Sequence, residues 1–517
     1  MSHLPVLPIV LPAALAAFIL MTMRHHLELQ RIFSIAGSVA LTAIAALLVA
    51  RASDGQVHVY ELGDWPAPFG IALALDRLSA MMVALTALLL LAVTLYAVGA
   101  GWDARGRHFH ALLQFQAMGV CGAFLTADAF NLFVFFEILL IASYGLMIHA
   151  GGAERLRAGF QYVAYNLLGS TLFLFAMGAL YAATGTLNMA DLGVRIAQLP
   201  AEHAALARAG AALLILVFAV KAAALPVHFW LPGAYAAAPG PSAAMFAILT
   251  KVGVYAILRM RATAFPESAP ALAGLSEAWL LPAALATALI GAAGVLGARG
   301  MARLAAFGTI ASVGTLLIAA ALFTPQSAAA ALYYMPHSTL AAAVMFLAAD
   351  MVTERRGDAI APGPRMAHHA LVAAVFFLGA VALAGLPPLS GFLGKLMIMD
   401  AARGHERVAW IWGVILVASL ITLMGLARAG SDVFWRPAEG EGRAENREQD
   451  EDDAAAGPGP AAPAQPSAAL TFVAAFALLA ALAALTVLAG PAMRYADAAV
   501  AQLFDAGAYA DAVLRRP

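Results

Sequence analysis

Lysine is almost missing from this 517-residue chain. Of its 29 basic residues only three are Lys (Lys221, Lys251 and Lys395), which leaves 26 Arg. Charged residues of both signs make up 11% of the chain, against roughly 25% in soluble domains. Cysteine occurs once, at Cys121, which excludes an intrachain disulfide and any cluster held by several Cys. No CxxC, no Rossmann or Walker glycine signature and no HExxH is present. The chain therefore shows no motif for redox chemistry, nucleotide hydrolysis or a zinc site. A formal net charge of −1 gives no reason to expect a nucleic-acid partner. What is abundant is apolar residue, at 63%, where about 45–50% is ordinary. That composition defines a polytopic membrane protein.

A bilayer core needs about 20 apolar residues per helix. On that rule the chain reads as all-α with about fourteen transmembrane helices. They lie near 4–22, 30–50, 74–100, 108–126, 128–149, 159–184, 208–230, 242–262, 278–298, 302–323, 328–350, 369–399, 408–428 and 468–490. The first has its basic residue, Arg24, after the apolar run, the reverse of a cleaved signal peptide. Loops after odd-numbered spans carry most of the Arg, among them Arg105, Arg107, Arg155, Arg157, Arg299, Arg303, Arg355, Arg356 and Arg365. Loops after even-numbered spans hold fewer, counting Arg259 and Arg261 among them, and mix them with acids. The odd loops are then expected to be cytoplasmic, with both termini outside.

All three lysines fall inside apolar runs, LILVFAVKAAALP, MFAILTKVGVYAIL and GFLGKLMIM, whereas Arg falls in or beside loops, segment ends and tails. Arg cannot lose its proton in a protein, but a buried lysine can. A lysine that snorkels its head to water accounts for one such residue. Three of three point to function, because ionisable residues at membrane depth serve as proton relays and ion paths.

Two spans are interrupted by proline. Span seven carries Pro226 in KAAALPVHFWLPGAY, and span twelve carries Pro387 and Pro388 in LAGLPPLSGFLGK. Each should break there, since proline lacks the backbone donor and clashes with the preceding turn. A kink for packing explains either one alone. Here each break lies near a lysine and the two lie five spans apart, so the second unit is inserted upside down relative to the first. Broken helices at matching places in inverted halves point to a transport site near the midplane. The expected organisation is 1–107 (helices one to three), 108–262 (first inverted repeat), 278–430 (second inverted repeat), 431–467 (a disordered acidic and Pro/Ala-rich linker) and 468–517 (helix fourteen and an amphipathic tail).

Other polar residues fall into the same interior. Glu137, in FNLFVFFEILLIASYGLMI, is a carboxylate at membrane depth and needs a proton or a cation; Lys221 is the partner to expect. His337, in YYMPHSTLAAAVMF, is suited to pass protons at neutral pH, though a hydrogen bond to a carbonyl explains it too. His228, just past the Pro226 break, is an accessory candidate.

These residues carry a resemblance. Glu137, Lys221, the run PVHFWLP at 226–232, Ala238-Pro239, Lys251, His337, and Leu386-Pro387-Pro388 with Lys395 resemble the antiporter-like membrane subunits. That family includes the proton-translocating subunits of respiratory complex I and the large subunits of Mrp (Pha) multisubunit cation/proton antiporters. The likeness covers roughly residues 70–430. Length, one helix beyond the second repeat, and Lys rather than Glu at 395 make the chain similar to the D-type subunits of the Mrp branch. The resemblance implies a path of buried groups joined by water, in the order Glu137, Lys221, Lys251, His337, Lys395, with no cofactor, metal or catalytic residue. It implies work in the bacterial inner membrane as one component of a hetero-oligomeric Na+ or K+/H+ antiporter, not as an enzyme. The alternative is a proton-pumping subunit of a complex I-like NADH:quinone oxidoreductase or a membrane-bound hydrogenase. A carrier for an organic ion gives no reason for the three-lysine pattern.

Overall fold

In the computed structural model, residues 3–515 are described except 266–268, 270, 271, 273, 277 and 437–467. Each apolar run folds as a helix, the one structure that satisfies every backbone group within its own segment in lipid. The first spans are α1 (Leu7–Thr22), α2 (Leu27–Ala52) and α3 (Arg77–Ala100). Then come α4 (Phe109–Leu125), α5 (Ala129–Met147), α6 (Ala153–Thr184) and the short α7 (Met189–Ala197). The seventh span is α8 (Ala201–Lys221) with α9 (Trp230–Ala237), and the eighth is α10 (Gly240–Phe246) with α11 (Leu249–Thr263). α12 (Leu280–Gly297), α13 (Met301–Leu322) and α14 (Pro325–Arg356) are the next three. α15 (His369–Ala384) and α16 (Ser390–Ala401) make the twelfth, and α17 (Val408–Gly430) the thirteenth. α18 (Ala468–Val487) is followed by α19 (Ala489–Phe504) and α20 (Ala506–Leu514).

Among the described residues, twelve helices are long and apolar enough to cross a membrane, with α10 and α11 taken together. The shorter apolar helices α4 and α15 fill the other two expected positions. The chain is therefore a multi-pass membrane protein. One departure from an all-helical chain is a hairpin in the loop after span two. There β1 (His58–Glu61) pairs antiparallel with β2 (Ala72–Leu75), His58 opposite Leu75 and Glu61 opposite Ala72.

Helix position within the bundle follows composition. The Gly240–Thr263 window is 100% buried and that of Pro325–Arg356 94%, against 33% for Leu4–Thr22. α10, α11 and α14 are thus the centre, and α1 faces outward. The eighth span carries an interruption that no proline announces: the helix lapses at Ala247 and Ile248, and Lys251 opens the next turn with its amide on Ile248 O at 2.9 Å.

The tail is folded onto the rest of the chain. α19 buries Ala496, Ala499, Val500 and Leu503 against α3 and α14. Gln502 accepts from the Arg77 amide (3.0 Å), and Tyr495 donates to the Arg77 carbonyl (2.9 Å). The expected linker starts later than 431: a π-helical turn, Ser431–Trp435, extends α17, and Asp432 holds Arg436 at 2.8 Å. The rest of that segment, 437–467, lies outside the described residues.

Candidate functional site

Both proline breaks leave backbone groups without helical partners, and each break closes them with side chains. In the seventh span α8 ends on Lys221 itself. Across the break, Trp230 donates its indole N–H to Val220 O (3.1 Å), and the Leu225 amide donates to Thr287 Oγ1 on α12 (2.8 Å). In the twelfth span Lys395 on α16 reaches back to Ala384 O, the last residue of α15, at 2.8 Å. The Ser390 amide there donates to Thr486 Oγ1 on α18 (2.9 Å). Each break thus sets an ammonium-bearing side chain at the C-terminal end of a half-helix, where the helix dipole favours positive charge.

The five expected residues occupy distinct settings. Lys221 is buried and donates from Nζ to Asn166 O and Asn166 Oδ1 on α6, both at 3.3 Å. Glu137, half-buried on α5, accepts from Ser170 Oγ, one turn further along α6. Glu137 and Lys221 are therefore joined through one face of α6 and not by a direct ion pair, because residues four apart on a helix are neighbours. Lys395 donates also to Ser419 Oγ on α17 (2.9 Å). His337 on α14 shares a hydrogen bond between Nδ1 and Ser390 Oγ (2.9 Å), which places it beside the twelfth-span break. Gly391 lets the ring in: a Cβ there would lie 2.6 Å from His337 Nε2.

Lys251 stands apart. It is fully buried on α11, and its Nζ has no hydrogen-bond partner among the described residues. Gly253 seats this helix on the end of α8, since a Cβ there would come within 2.8 Å of both Ala222 N and Phe218 O. His337 Nε2 likewise lacks a partner. His228 is half-buried in the break beside Phe229 and hydrogen-bonds none of the five. Pro226 and Pro388 lie in the breaks, with Pro387.

Several polar residues here escaped sequence reasoning. Asn166 and Ser170, four apart in an apolar helix, are a pattern that would have flagged them. Arg259 and Arg261 are not loop residues: both lie inside α11 and are buried. Arg259 makes a bidentate pair with Asp76, the N-cap of α3, at 2.5 and 2.8 Å. Its Nε donates to Tyr255 OH (3.1 Å), so Lys251, Tyr255 and Arg259 line one face of α11. Burial works against the Asp76 carboxylate, but Arg259 and the hydrogen bonds from Arg259 and Ser79 outweigh it and hold the group below its ordinary range. Asp350, inside α14, is 7% exposed and accepts from Tyr96 OH (2.8 Å) and Trp102 Nε1 (3.0 Å).

Fold and site together define a helical membrane transport component with ionisable groups buried at helix breaks. Residues 126–423 match the family model for the membrane domain described as NADH:quinone oxidoreductase/Mrp antiporter. The chain is 39% identical over 480 residues to the D subunit of a probable K(+)/H(+) antiporter of Rhizobium meliloti, covering 85% of this chain and 88% of the relative. It is 38% identical over 441 residues to the D subunit of the Na(+)/H(+) antiporter of Bacillus subtilis, covering 84% and 87%. A chain in the structure of the Mrp complex from Dietzia sp. superposes with a TM-score of 0.86 at 30% identity, over 99% of both chains. The chain belongs to the family of antiporter-like membrane subunits shared by Mrp antiporters and NADH:quinone oxidoreductases, and it is a transporter subunit, not an enzyme.

Proposed function

We propose that this chain is the proton-translocating D-type component of a multisubunit Na+ or K+/H+ antiporter in the bacterial cytoplasmic membrane. The observation that carries the proposal is the placement of the chain's three lysines. All are buried, in the seventh, eighth and twelfth spans, with two at breaks of the helix backbone. The relatives' names supply the antiport reaction, and they are divided between potassium and sodium.

In this reading a proton reaches Glu137 and passes by Lys221, Lys251 and His337 to Lys395. Lys251 Nζ and His337 Nε2, polar atoms without a hydrogen-bond partner among the described residues, are positions where buried water completes a relay. A proton crossing 100 mV releases about 2.3 kcal/mol, enough to drive a cation out against a modest gradient. Residues 108–262 and 278–430 form the two inverted units. What supports that is the common construction of the two breaks, each with a lysine at the end of a half-helix and a threonine hydroxyl on a freed amide. Both termini are placed outside. Moving Arg259 and Arg261 from a loop into α11 enlarges the arginine excess on which that orientation rests.

The test uses everted vesicles from an antiporter-deficient bacterium, with the chain expressed alone and with its neighbouring genes. A pH-gradient dye is followed as sodium or potassium is added. Collapse of the gradient only with the neighbours present, abolished by Lys221→Ala and by Lys221→Arg, is the expected result. Activity in Lys221→Arg would show that the lysine supplies only fixed charge. A complex that assembles and answers to neither cation would move the chain to the redox-pump branch of its family.

A further inference from the structure

The interior groups just described need a route to water, and a cavity among the described residues is suited to it. A cavity of about 380 Å³ opens where the end of α14 meets the loops before α6 and α10. Trp102, Arg155, Gly240, Asp350 and Glu354 are among its walls. These loops follow odd-numbered spans, so the cavity opens on the arginine-rich side.

Asp350 differs from the other acids there. Glu154 and Glu354 are exposed, and Glu354 is paired with Arg105 at 2.5 Å. Asp350 is 7% exposed, and both of its donors, Tyr96 and Trp102, bind the same oxygen, Oδ2. Oδ1 has no hydrogen-bond partner among the described residues and lies against Gly240, where a Cβ would come within 2.4 Å of it. One oxygen is thus fixed by two neutral donors, and the other is left bare on a cavity wall. Trp102 is itself held in place, with the Arg105 guanidinium 4.1 Å and the Arg155 guanidinium 5.3 Å from its ring centroid.

The position along the helices fits a mouth. Asp350 is thirteen residues from His337 on α14, about 20 Å at 1.5 Å per residue. Gly240 is eleven residues from Lys251, about 16 Å on the same measure. Half of the bilayer's hydrocarbon core is about 15 Å. α10 packs against α14, and Ser242 on α10 is buried with no partner for its hydroxyl among the described residues. Among the described residues, the seam from the cavity to the midplane therefore carries buried polar atoms without a hydrogen-bond partner at Ser242, Lys251 and His337, with Asp350 at its cavity end.

We propose that Asp350 is the carboxyl through which the buried path exchanges protons with water on the arginine-rich side, with Tyr96 and Trp102 as its positioning residues. This rests on the antiporter reading above. The proton sits on Oδ1, moves to and from cavity water, and continues along the α10–α14 seam. The charged groups facing it are Arg105 from the turn after α3, Glu154 and Arg155 from the start of α6, and Glu354 and Asp358 from α14 and the loop beyond.

The assay is cation-driven collapse of the pH gradient by the complete assembled complex in everted vesicles. Asp350→Asn is expected to lower the rate at least tenfold, and Asp350→Glu to retain part of it. Tyr96→Phe removes a donor that favours the charged carboxylate, so the pH profile of transport should move upward by about half a unit, the worth of one hydrogen bond. In a Cys121→Ser background, Thr353→Cys on the cavity wall should react with a membrane-impermeant cationic thiol reagent from the side exposed in everted vesicles, and the reaction should slow transport. Wild-type rates in Asp350→Asn overturn the proposal. If Asp350→Asn fails to assemble, an unmoved profile in Tyr96→Phe together with an unreactive Thr353→Cys overturns it. Failure of the antiporter reading looks different, because the unmutated complex then shows no cation response.

Discussion

Replacing Asp76 with Asn separates charge from capping in a buried ion pair, Asp76 with Arg259. Asp76 and Arg259 are each 2% exposed. The carboxylate also accepts from the Ser79 amide at 2.8 Å to start α3. Asn caps helices as well as Asp does, so Asp76→Asn keeps the cap and removes only the charge opposite Arg259. Taking one partner from a buried pair costs about 3–5 kcal/mol, because the other charge stays behind. Asp76→Ala should add about 1 kcal/mol for the lost cap. Arg259→Met strands the carboxylate instead, and the double variant Asp76→Asn/Arg259→Met should cost less than the sum of the singles by about 1–3 kcal/mol. Equilibrium unfolding in mixed micelles on titration with SDS measures all four proteins. The pH dependence has a definite sign. Asp76 is held below its ordinary value, so its contribution is complete above about pH 4 and fades as pH falls through the folded value. The wild-type advantage over Asp76→Asn should therefore shrink only in that acid range. A cost below about 1 kcal/mol for Asp76→Asn at neutral pH, or strict additivity in the double variant, would refute the reasoning.

Two further outcomes follow from the breaks. Thr287→Val leaves the Leu225 amide without its acceptor, which should cost about 1–3 kcal/mol in the same titration; an unchanged midpoint would mean that the break finds another partner. Gly391→Ala sets a methyl 2.6 Å from His337 Nε2 and Ala382 O, so transport should fall well below that of Gly404→Ala, whose new Cβ meets nothing within 4 Å. Equal rates in the two would place His337 outside the path.

Hydrophobic length carried the fold: each of the fourteen apolar runs lies where a helix lies, because a span is a local property of about 20 residues. Proline marked the breaks of the seventh and twelfth spans for the same local reason. The lapse at Ala247 and Ile248 was not visible, since nothing in AMFAILTK removes a backbone donor; it arises where α11 must seat Gly253 on the end of α8. The site was legible only as far as residue type reaches. Lysine and glutamate in apolar runs stand out, which is why Glu137, Lys221, Lys251 and Lys395 are the candidates that the sequence offers. The groups that hydrogen-bond Glu137, Lys221, His337 and Lys395, namely Ser170, Asn166, Ser390 and Ser419, are neutral residues unremarkable in any helix. Arg259 was misplaced because its charge reads as the end of a span, and the partner that makes it a buried residue, Asp76, is 183 residues away.

The division of labour between the two basic residues extends from composition to geometry. Arg side chains hold carboxylates both in the interior and at the surface: Arg259 with Asp76, Arg31 with Asp103, and the exposed Arg105 with Glu354. Among the described residues no Lys enters an ion pair. Lys221 and Lys395 hold only neutral oxygens, and Lys251 holds none. A carboxylate partner would fix an ammonium in place, because separating a buried pair leaves two uncompensated charges. Neutral oxygens accept from an ammonium and tolerate an amine, so the group that they hold can change its charge without dismantling its surroundings. Under the proposed function, Arg serves where charge must stay, and Lys is kept for the three positions where it must be free to go.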